Sequence, residues 1–275
     1  MPPPPLTRVA SYRRTLHASE TRVWENVRDW EHLPWLHAAS FRSIARLDEG
    51  DWGWRARIGL QPAAEIVLEL VIDSPSARYV SRTLAGPGLG SEIRTHVSPT
   101  DAERTEVDVE FWLPAVDPTR AAETGAAYTR LYRRLWDEDE AMMVRRTEQL
   151  AAAGADSGAS RTPRPLGSLA ALRARLPALV AWGGRRWRVV ELGGDLVVHA
   201  TVCPHSLGPL EHAAIDADGC VRCPWHGHRF DVRSGRSADG RELRLPAAPR
   251  LEVGADGEVW LGGHAPSLSS AAAVR

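Results

Sequence analysis

Lysine is absent from this chain. All 34 cationic residues are arginine, set against 35 acidic residues, for a formal charge of −1. That balance provides no basic face for nucleic acid, so no nucleic-acid partner is expected. Cysteine is scarce, with three in 275 residues, too few for a disulfide framework. Long apolar runs are missing too. No stretch approaches the roughly 18 uninterrupted apolar residues of a spanning helix, so no membrane association is expected. The opening Met1-Pro2-Pro3-Pro4-Pro5 matches neither a secretory signal nor an amphipathic transit peptide, which makes the cytoplasm the expected location. What remains is an ordinary globular composition, 43% hydrophobic and 25% charged, at a length suited to one or two domains.

Small residues over 151–160, followed by Pro163 and Pro165, cannot bury a core. They predict a linker over 151–166 between a first domain at 1–150 and a second at 167–263, with a frayed tail at 264–275. The first domain reads as α+β. Val9–His17 is a strand, and Ser19 is a good N-cap for a helix through Val23, Trp24 and Val27. Strand patterns follow at 41–47, 52–60, 65–73, 78–84 and 93–113, the last with a turn at 98–101. In Thr105–Leu113, Val107, Val109 and Phe111 alternate with charged residues, the period of an antiparallel sheet with one wet face. Asp117 to Leu150 carries apolar residues at helical spacing. Such a helix could pack into a curved sheet and leave a cavity, with Trp30, Trp35, Trp52, Trp54 and Trp112 as candidate lining. The second domain reads as short strands with Gly-rich turns, a small all-β domain.

The three cysteines cluster between 203 and 223 beside histidines. Cys203-Pro204-His205 and Cys223-Pro224-Trp225-His226 form C-x-H-x17-C-x2-H. Two thiolates and two imidazoles on tight loops suit a [2Fe-2S] cluster with Cys203 and Cys223 on one iron and His205 and His226 on the other. Neutral imidazoles in place of thiolates raise the reduction potential, to about −150 to +300 mV. Gly208 and Gly227 give the loops turn freedom. Zinc is the alternative, because Cys220 and Cys223 also make C-x2-C, but it leaves the two Cys-Pro loops unexplained. Cys220 then reads as a bystander, and His212 and His228 as loop histidines.

With its flanks, Cys203–Leu210 and Cys223–Asp231 followed by Ser234-Gly235, this region resembles the Rieske domain over roughly 95 residues. Cytochrome bc-type members of that family brace the two loops with a disulfide. Gly208 and Trp225 stand at its positions, so the resemblance is to the ferredoxin and oxygenase branch, which transfers single electrons.

A second pattern lies in the first domain. Asp29, His32 and His37 form D-x2-H-x4-H, with Asp29 and His32 expected on one helix face and Pro34 expected to break the helix and bring the imidazoles together. Two histidines and a carboxylate on one face of an iron leave positions open for dioxygen and substrate. This stretch resembles the mononuclear-iron motif of the Rieske non-haem iron oxygenases. The resemblance implies His32 and His37 as iron ligands, Asp29 as the electron bridge to a cluster histidine, and a third ligand on a late helix. There, within Trp136-Asp137-Glu138-Asp139-Glu140, Glu138-Asp139 resembles the family's Glu-Asp pair, with Asp139 the first choice as ligand and Asp137 the second. The first domain also resembles small helix-grip (START-like) ligand-binding domains. The domain order is reversed from the family's large subunit, the catalytic segment is shorter, and Val144 stands where the family has a later glutamate.

The resemblance implies an oxygenase component with a [2Fe-2S] cluster and a mononuclear Fe(II). It would use dioxygen and electrons from an external reductase or ferredoxin to hydroxylate or demethylate a small organic substrate, in a homo-oligomer, a trimer by family analogy. The alternative is a Rieske electron-transfer protein fused to a START-like ligand-binding domain that holds no mononuclear iron.

Overall fold

The computed structural model describes residues 5–155 and 160–262. The tail expected at 264–275 lies outside the described residues. The chain divides into two compact units, Met1–Thr147 and Glu148–Arg275.

The first unit is built on a seven-stranded antiparallel sheet. Its strands are β1 (Leu6–Leu16), β2 (Phe41–Gly50), β3 (Gly53–Leu60), β4 (Glu65–Asp73), β5 (Arg78–Ala85), β6 (Glu92–Pro99) and β7 (Thr105–Pro114). They lie in the order β1-β7-β6-β5-β4-β3-β2. Each neighbour is antiparallel to the next. Strand β7 shows why the sheet has two faces. Val107, Val109, Phe111 and Leu113 are buried in strict alternation, while Asp108 and Glu110 point out to Arg13 and Arg8. An even period in the sequence becomes one apolar face and one of ion pairs.

The apolar face is covered by helix α3 (Ala121–Ala155). Phe111 packs against Tyr128 and Tyr132, with ring centroids 5.3 and 4.9 Å apart. At Gly125 an added Cβ would lie 2.4 Å from the Val9 carbonyl oxygen, so only glycine lets α3 cross β1 this closely. Helix α1 (Glu20–Arg28) starts at Ser19, whose hydroxyl accepts from the Arg22 amide. It is tied to the sheet through Trp54 Nε1, which donates to the Val27 carbonyl at 3.0 Å. A long helix gripped by a curved antiparallel sheet is the helix-grip architecture, and the chain is α+β.

The second unit is small and mostly β. One three-stranded sheet is ordered β11-β10-β9, from β9 (Ala178–Trp182), β10 (Arg185–Leu192) and β11 (Asp195–Ala200). A second is ordered β14-β15-β8, from β8 (Arg164–Ser168), β14 (Leu251–Val253) and β15 (Glu258–Leu261). A hairpin of β12 (Cys220–Arg222) and β13 (Arg229–Asp231) carries the second Cys-Pro loop. A short helix α4 (Leu169–Arg173), capped by Ser168, was not predicted.

The linker predicted over 151–166 is shortened at both ends. Residues 151–155 continue α3, because alanine has the highest helix propensity and composition alone does not break a helix. Residues 164–166 belong to β8, where Pro165 is tolerated on an edge strand beside a register shift.

Candidate functional site

The first-unit site forms where α1 ends. Asp29 is the C-cap of α1, with non-helical φ −84° and ψ 91°, so Asp29 and His32 do not share a helix face as expected. A separate single turn, α2 (Leu33–Leu36), follows, with Pro34 in its first turn. Proline here starts a turn rather than only breaking one. His32 and His37 flank it as N-cap and C-cap, and their rings come to 5.1 Å between centroids.

Asp139 reaches this pair from α3. Its Oδ1 lies 3.4 Å from His32 Nε2 and 3.1 Å from His37 Nε2, and accepts from Asn26 Nδ2 at 2.9 Å. All three central side chains are buried, and their ligand atoms lie within 4.8 Å of one another. Asp137, the second-choice ligand, instead turns to solvent and pairs with Arg14 at 2.5 Å. The helix's 100° advance per residue separates the rest of the acidic run. Glu138 Oε2 meets His37 Nδ1 at 2.6 Å, and Glu140 pairs with Arg14 and the His17 amide. Asp29 Oδ2 stands 3.6 Å from His32 Nδ1. Sequence reading missed the role of Asn26; its only signal was its place three residues before Asp29.

The electrostatics follow from burial beside opposite charge. Burial works against the His37 imidazolium, but Asp139 and Glu138 outweigh it and raise the His37 pKa. Burial likewise opposes the Asp139 carboxylate, yet the hydrogen bond from His37, both imidazoles and Asn26 hold its pKa below the usual value. The site is therefore a buried carboxylate facing two imidazole nitrogens, a donor set that a protonated His37 satisfies by itself and that also fits a bound cation. Two ligand atoms about 2.1 Å from one ion and at right angles stand about 3.0 Å apart, so the 3.1 and 3.4 Å separations suit a facial pair of imidazoles and a carboxylate.

A cavity of about 270 Å³ opens from this cluster between the sheet and α3. Its walls are mostly apolar, with Ile58, Ile66, Leu68 and Leu70 from the sheet and Leu131 and Trp136 from α3. Of the five tryptophans expected to line it, only Trp54 does. Trp30 packs against the core outside the cavity with Arg46 over its ring, Trp52 in the β2–β3 turn and Trp112 on β7 lie under Arg55 and Arg8, and Trp35 is exposed. The wider hollow of about 770 Å³ on the outer sheet face is walled by the ion pairs of Arg82, Arg94 and Glu92 and approaches none of this chemistry.

In the second unit each Cys-Pro loop closes on its own cysteine. The Cys203 amide donates to the Gly208 carbonyl, and the Leu207 amide to the Cys203 carbonyl. The Cys223 amide donates to the His228 carbonyl, and the Gly227 amide to the Cys223 carbonyl. Leu207 at φ 64° and Gly227 at φ 71° make the turns. Both cysteines are buried and hydrogen-bonded to each other, so ionisation of one opposes that of the other: the shared proton lowers the Cys223 pKa and raises that of Cys203. His205 and His226 stand 4.6 Å apart between centroids. Gly208 fits against the site so closely that a Cβ would lie 2.7 Å from Cys223 Sγ. Two thiols and two imidazoles in a cradle that excludes one methyl group fit a [2Fe-2S] cluster. His212 is exposed, but His228 is not the remote loop histidine expected. It is buried with its ring 4.5 Å from that of His205, and Asp239 faces its Nδ1 at 3.7 Å. Cys220 is buried on β12.

Residues 164–249 match the family model described as Rieske [2Fe-2S] domain. The second unit carries a Rieske domain. It is 31% identical over 71 residues to the anthranilate 1,2-dioxygenase ferredoxin subunit of Burkholderia cepacia, covering 26% of this chain and 65% of that protein. It is 38% identical over 55 residues to the chloroplastic pheophorbide a oxygenase of Oryza sativa subsp. japonica, covering 20% of this chain and 9% of that protein. The chain thus spans less than two thirds of either relative. Among solved structures, the Zhui aromatase/cyclase from Streptomyces sp. R1128 aligns at a TM-score of 0.43 and 16% identity, over 52% of this chain and 96% of that one. The Rieske domain implies electron-transfer partners and supports a [2Fe-2S] cluster. Among the described residues no helix is long and apolar enough to cross a membrane.

Proposed function

We propose that this chain is a Rieske-type non-haem iron oxygenase component that hydroxylates or demethylates a small organic substrate. The observation that carries the reading is the convergence of His32, His37 and Asp139 at the head of an apolar cavity, in a chain that also carries a Rieske domain. Iron held there supplies dioxygen activation, and the cluster supplies single electrons from an external reductase or ferredoxin. Cys203, His205, Cys223 and His226 hold the cluster.

The protein's own groups have separate tasks. His32 and His37 present Nε2 to the ion. Glu138 accepts the Nδ1 proton of His37 and so keeps its Nε2 lone pair available, and the Asp29 carboxylate favours the same tautomer at His32. Asn26 fixes the Asp139 rotamer by donating to Oδ1. Asp29 is also the bridge on the electron path. The apolar walls keep water from the reacting centre. Placement in the cytoplasm and a homo-oligomer, a trimer by family analogy, belong to the same reading.

The second reading is a Rieske electron-transfer protein fused to a ligand-binding domain. It draws support from His37, whose two nitrogens already face carboxylates, so the pocket is satisfied without an ion. Iron analysis separates the two: three irons per chain are expected for the oxygenase, two for the alternative. His32→Ala should lower three to two and abolish turnover while leaving the visible spectrum of the cluster intact. Retained turnover would reject the assignment.

A further inference from the structure

The cavity is long and has two chemically different ends. Its α3 wall runs from Tyr128 to Asp139, eleven helical steps, or about 16 Å of helix. Asp139 and the histidines occupy one end. The other is marked by strand register. Ser81 pairs with Ile93 and Ile93 with Phe111, and Phe111 packs on Tyr128. Thr83 and Ser91 lie one pleat further, away from Asp139.

Both hydroxyls are buried, both line the cavity, and Ser91 Oγ donates to Thr83 Oγ1 at 3.1 Å. That bond uses an acceptor position of Thr83 and leaves its own hydrogen to donate. The lining between and around the ends is mainly apolar, with Tyr79, Ser81, Tyr128 and Tyr132 its other hydroxyl-bearing residues, and among the described residues lining the cavity there is no arginine. A carboxylate at the far end would be buried without a countercharge, whereas a hydroxyl or carbonyl oxygen would find a donor. A cavity of about 150 Å³ holds benzene, so about 270 Å³ takes roughly two rings.

We infer that the cavity takes a neutral, elongated molecule of about two rings, bearing a hydroxyl or carbonyl oxygen at the end remote from His32, His37 and Asp139, and that the Thr83–Ser91 hydroxyl pair reads that oxygen. Naming this molecule a substrate rests on the oxygenase reading; its binding does not.

The test is equilibrium binding to the full chain as isolated, without reductant, followed by tryptophan fluorescence. The probes are 4-phenylphenol, biphenyl and 4-phenylbenzoate. 4-Phenylphenol is expected to bind about tenfold tighter than biphenyl, the gain of one well-made hydrogen bond over an unpaired donor. 4-Phenylbenzoate is expected to bind weakest. Thr83→Val, which removes the donor, should bring the phenol-to-biphenyl ratio close to one, and Ser91→Ala, which removes only the bond that orients Thr83, should lower the ratio less, with biphenyl affinity changed by less than about twofold in each. The visible spectrum of the cluster and a melting curve check that the variants fold. Equal binding of phenol and biphenyl by the wild type overturns the inference. So does a preference that survives both substitutions, which would place the hydroxyl at the other end, or tightest binding of the carboxylate. Iron content of the same preparation reads the oxygenase proposal separately. Two irons with a Thr83-dependent phenol preference would sink that proposal and leave this inference standing; three irons with no preference would do the reverse.

Discussion

Gly208→Ala isolates the tightest packing constraint in the Rieske domain. The added Cβ would lie 2.7 Å from Cys223 Sγ and 3.1 Å from Cδ2 and Cε3 of Trp225. Non-bonded heavy atoms rest near 3.5–4.0 Å, so the overlap on sulfur approaches about 1 Å. Neither neighbour can retreat. The sulfur is set by the backbone bonds that close its loop, and the Trp225 indole is buried. Gly208 is not among the residues with positive φ, so the whole cost is steric. Overpacking of this kind costs about 1–3 kcal/mol. The upper half of that range, at about 4–8 °C per kcal/mol for a domain of this size, lowers the Tm of the Rieske domain by about 10 °C or more. The cluster should be lost or spectrally altered, read by iron and sulfide content and visible circular dichroism. Gly240→Ala is the control. Its φ is +72° and nothing lies within 4 Å of the added Cβ, so only the left-handed backbone penalty of about 1–2 kcal/mol applies, with the cluster spectrum unchanged. A Gly208→Ala protein with full cluster occupancy, the wild-type spectrum and the wild-type Tm would refute the packing argument.

Glu138→Gln should weaken mononuclear iron binding about 10- to 100-fold by removing the charged partner of His37 Nδ1, while Asp137→Asn, on the Arg14 side of α3, should not; competition with a chelator measures both. His199 is buried on β11 with no hydrogen-bond partner for Nε2 among the described residues, and burial pushes its pKa down to about 4. The unfolded chain therefore takes up this proton first. The stability His199 contributes is complete above about pH 6.5 and is lost as pH falls toward 4, by about 3 kcal/mol. Urea midpoints from pH 7.5 to 4 should show this slope and His199→Gln should flatten it; a variant with the wild-type slope would discard the explanation. Phe111→Ala, which removes a fully buried ring packed on Tyr128 and Tyr132, should cost about 3–5 kcal/mol of first-unit stability. A urea midpoint barely moved would mean that α3 is held by other contacts.

The sheet was legible because its alternation is unusually clean. Val107, Val109 and Phe111 could be read from sequence, and the structure buries each of them. The two Cys-Pro loops were legible for a different reason: their spacing and glycines are local properties of short segments. Legibility failed where a residue's role depends on a partner far along the chain. Trp30, Trp52 and Trp112 are as apolar as Trp54, but Trp30 sits in the loop after α1, Trp52 in the β2–β3 turn, and the register of β7 turns Trp112 away from the buried face, each beneath an arginine. Alanines over 151–155 read as linker because composition does not reveal that a helix already running will propagate through them.

The sequence by itself determined most of the strands, the cores of helices α1 and α3, the two-faced sheet and the chemistry of the Cys-Pro loops, since all of these depend on period, propensity and short-range spacing. Which member of the acidic run 137–140 meets His32 and His37 was left to the tertiary structure. Each successive helix residue turns about 100°, and only the packing of α3 onto the sheet selects the face that looks inward. That single rotation puts Asp139 inside with Asn26 and the histidines, Glu138 behind His37, and Asp137 in solvent.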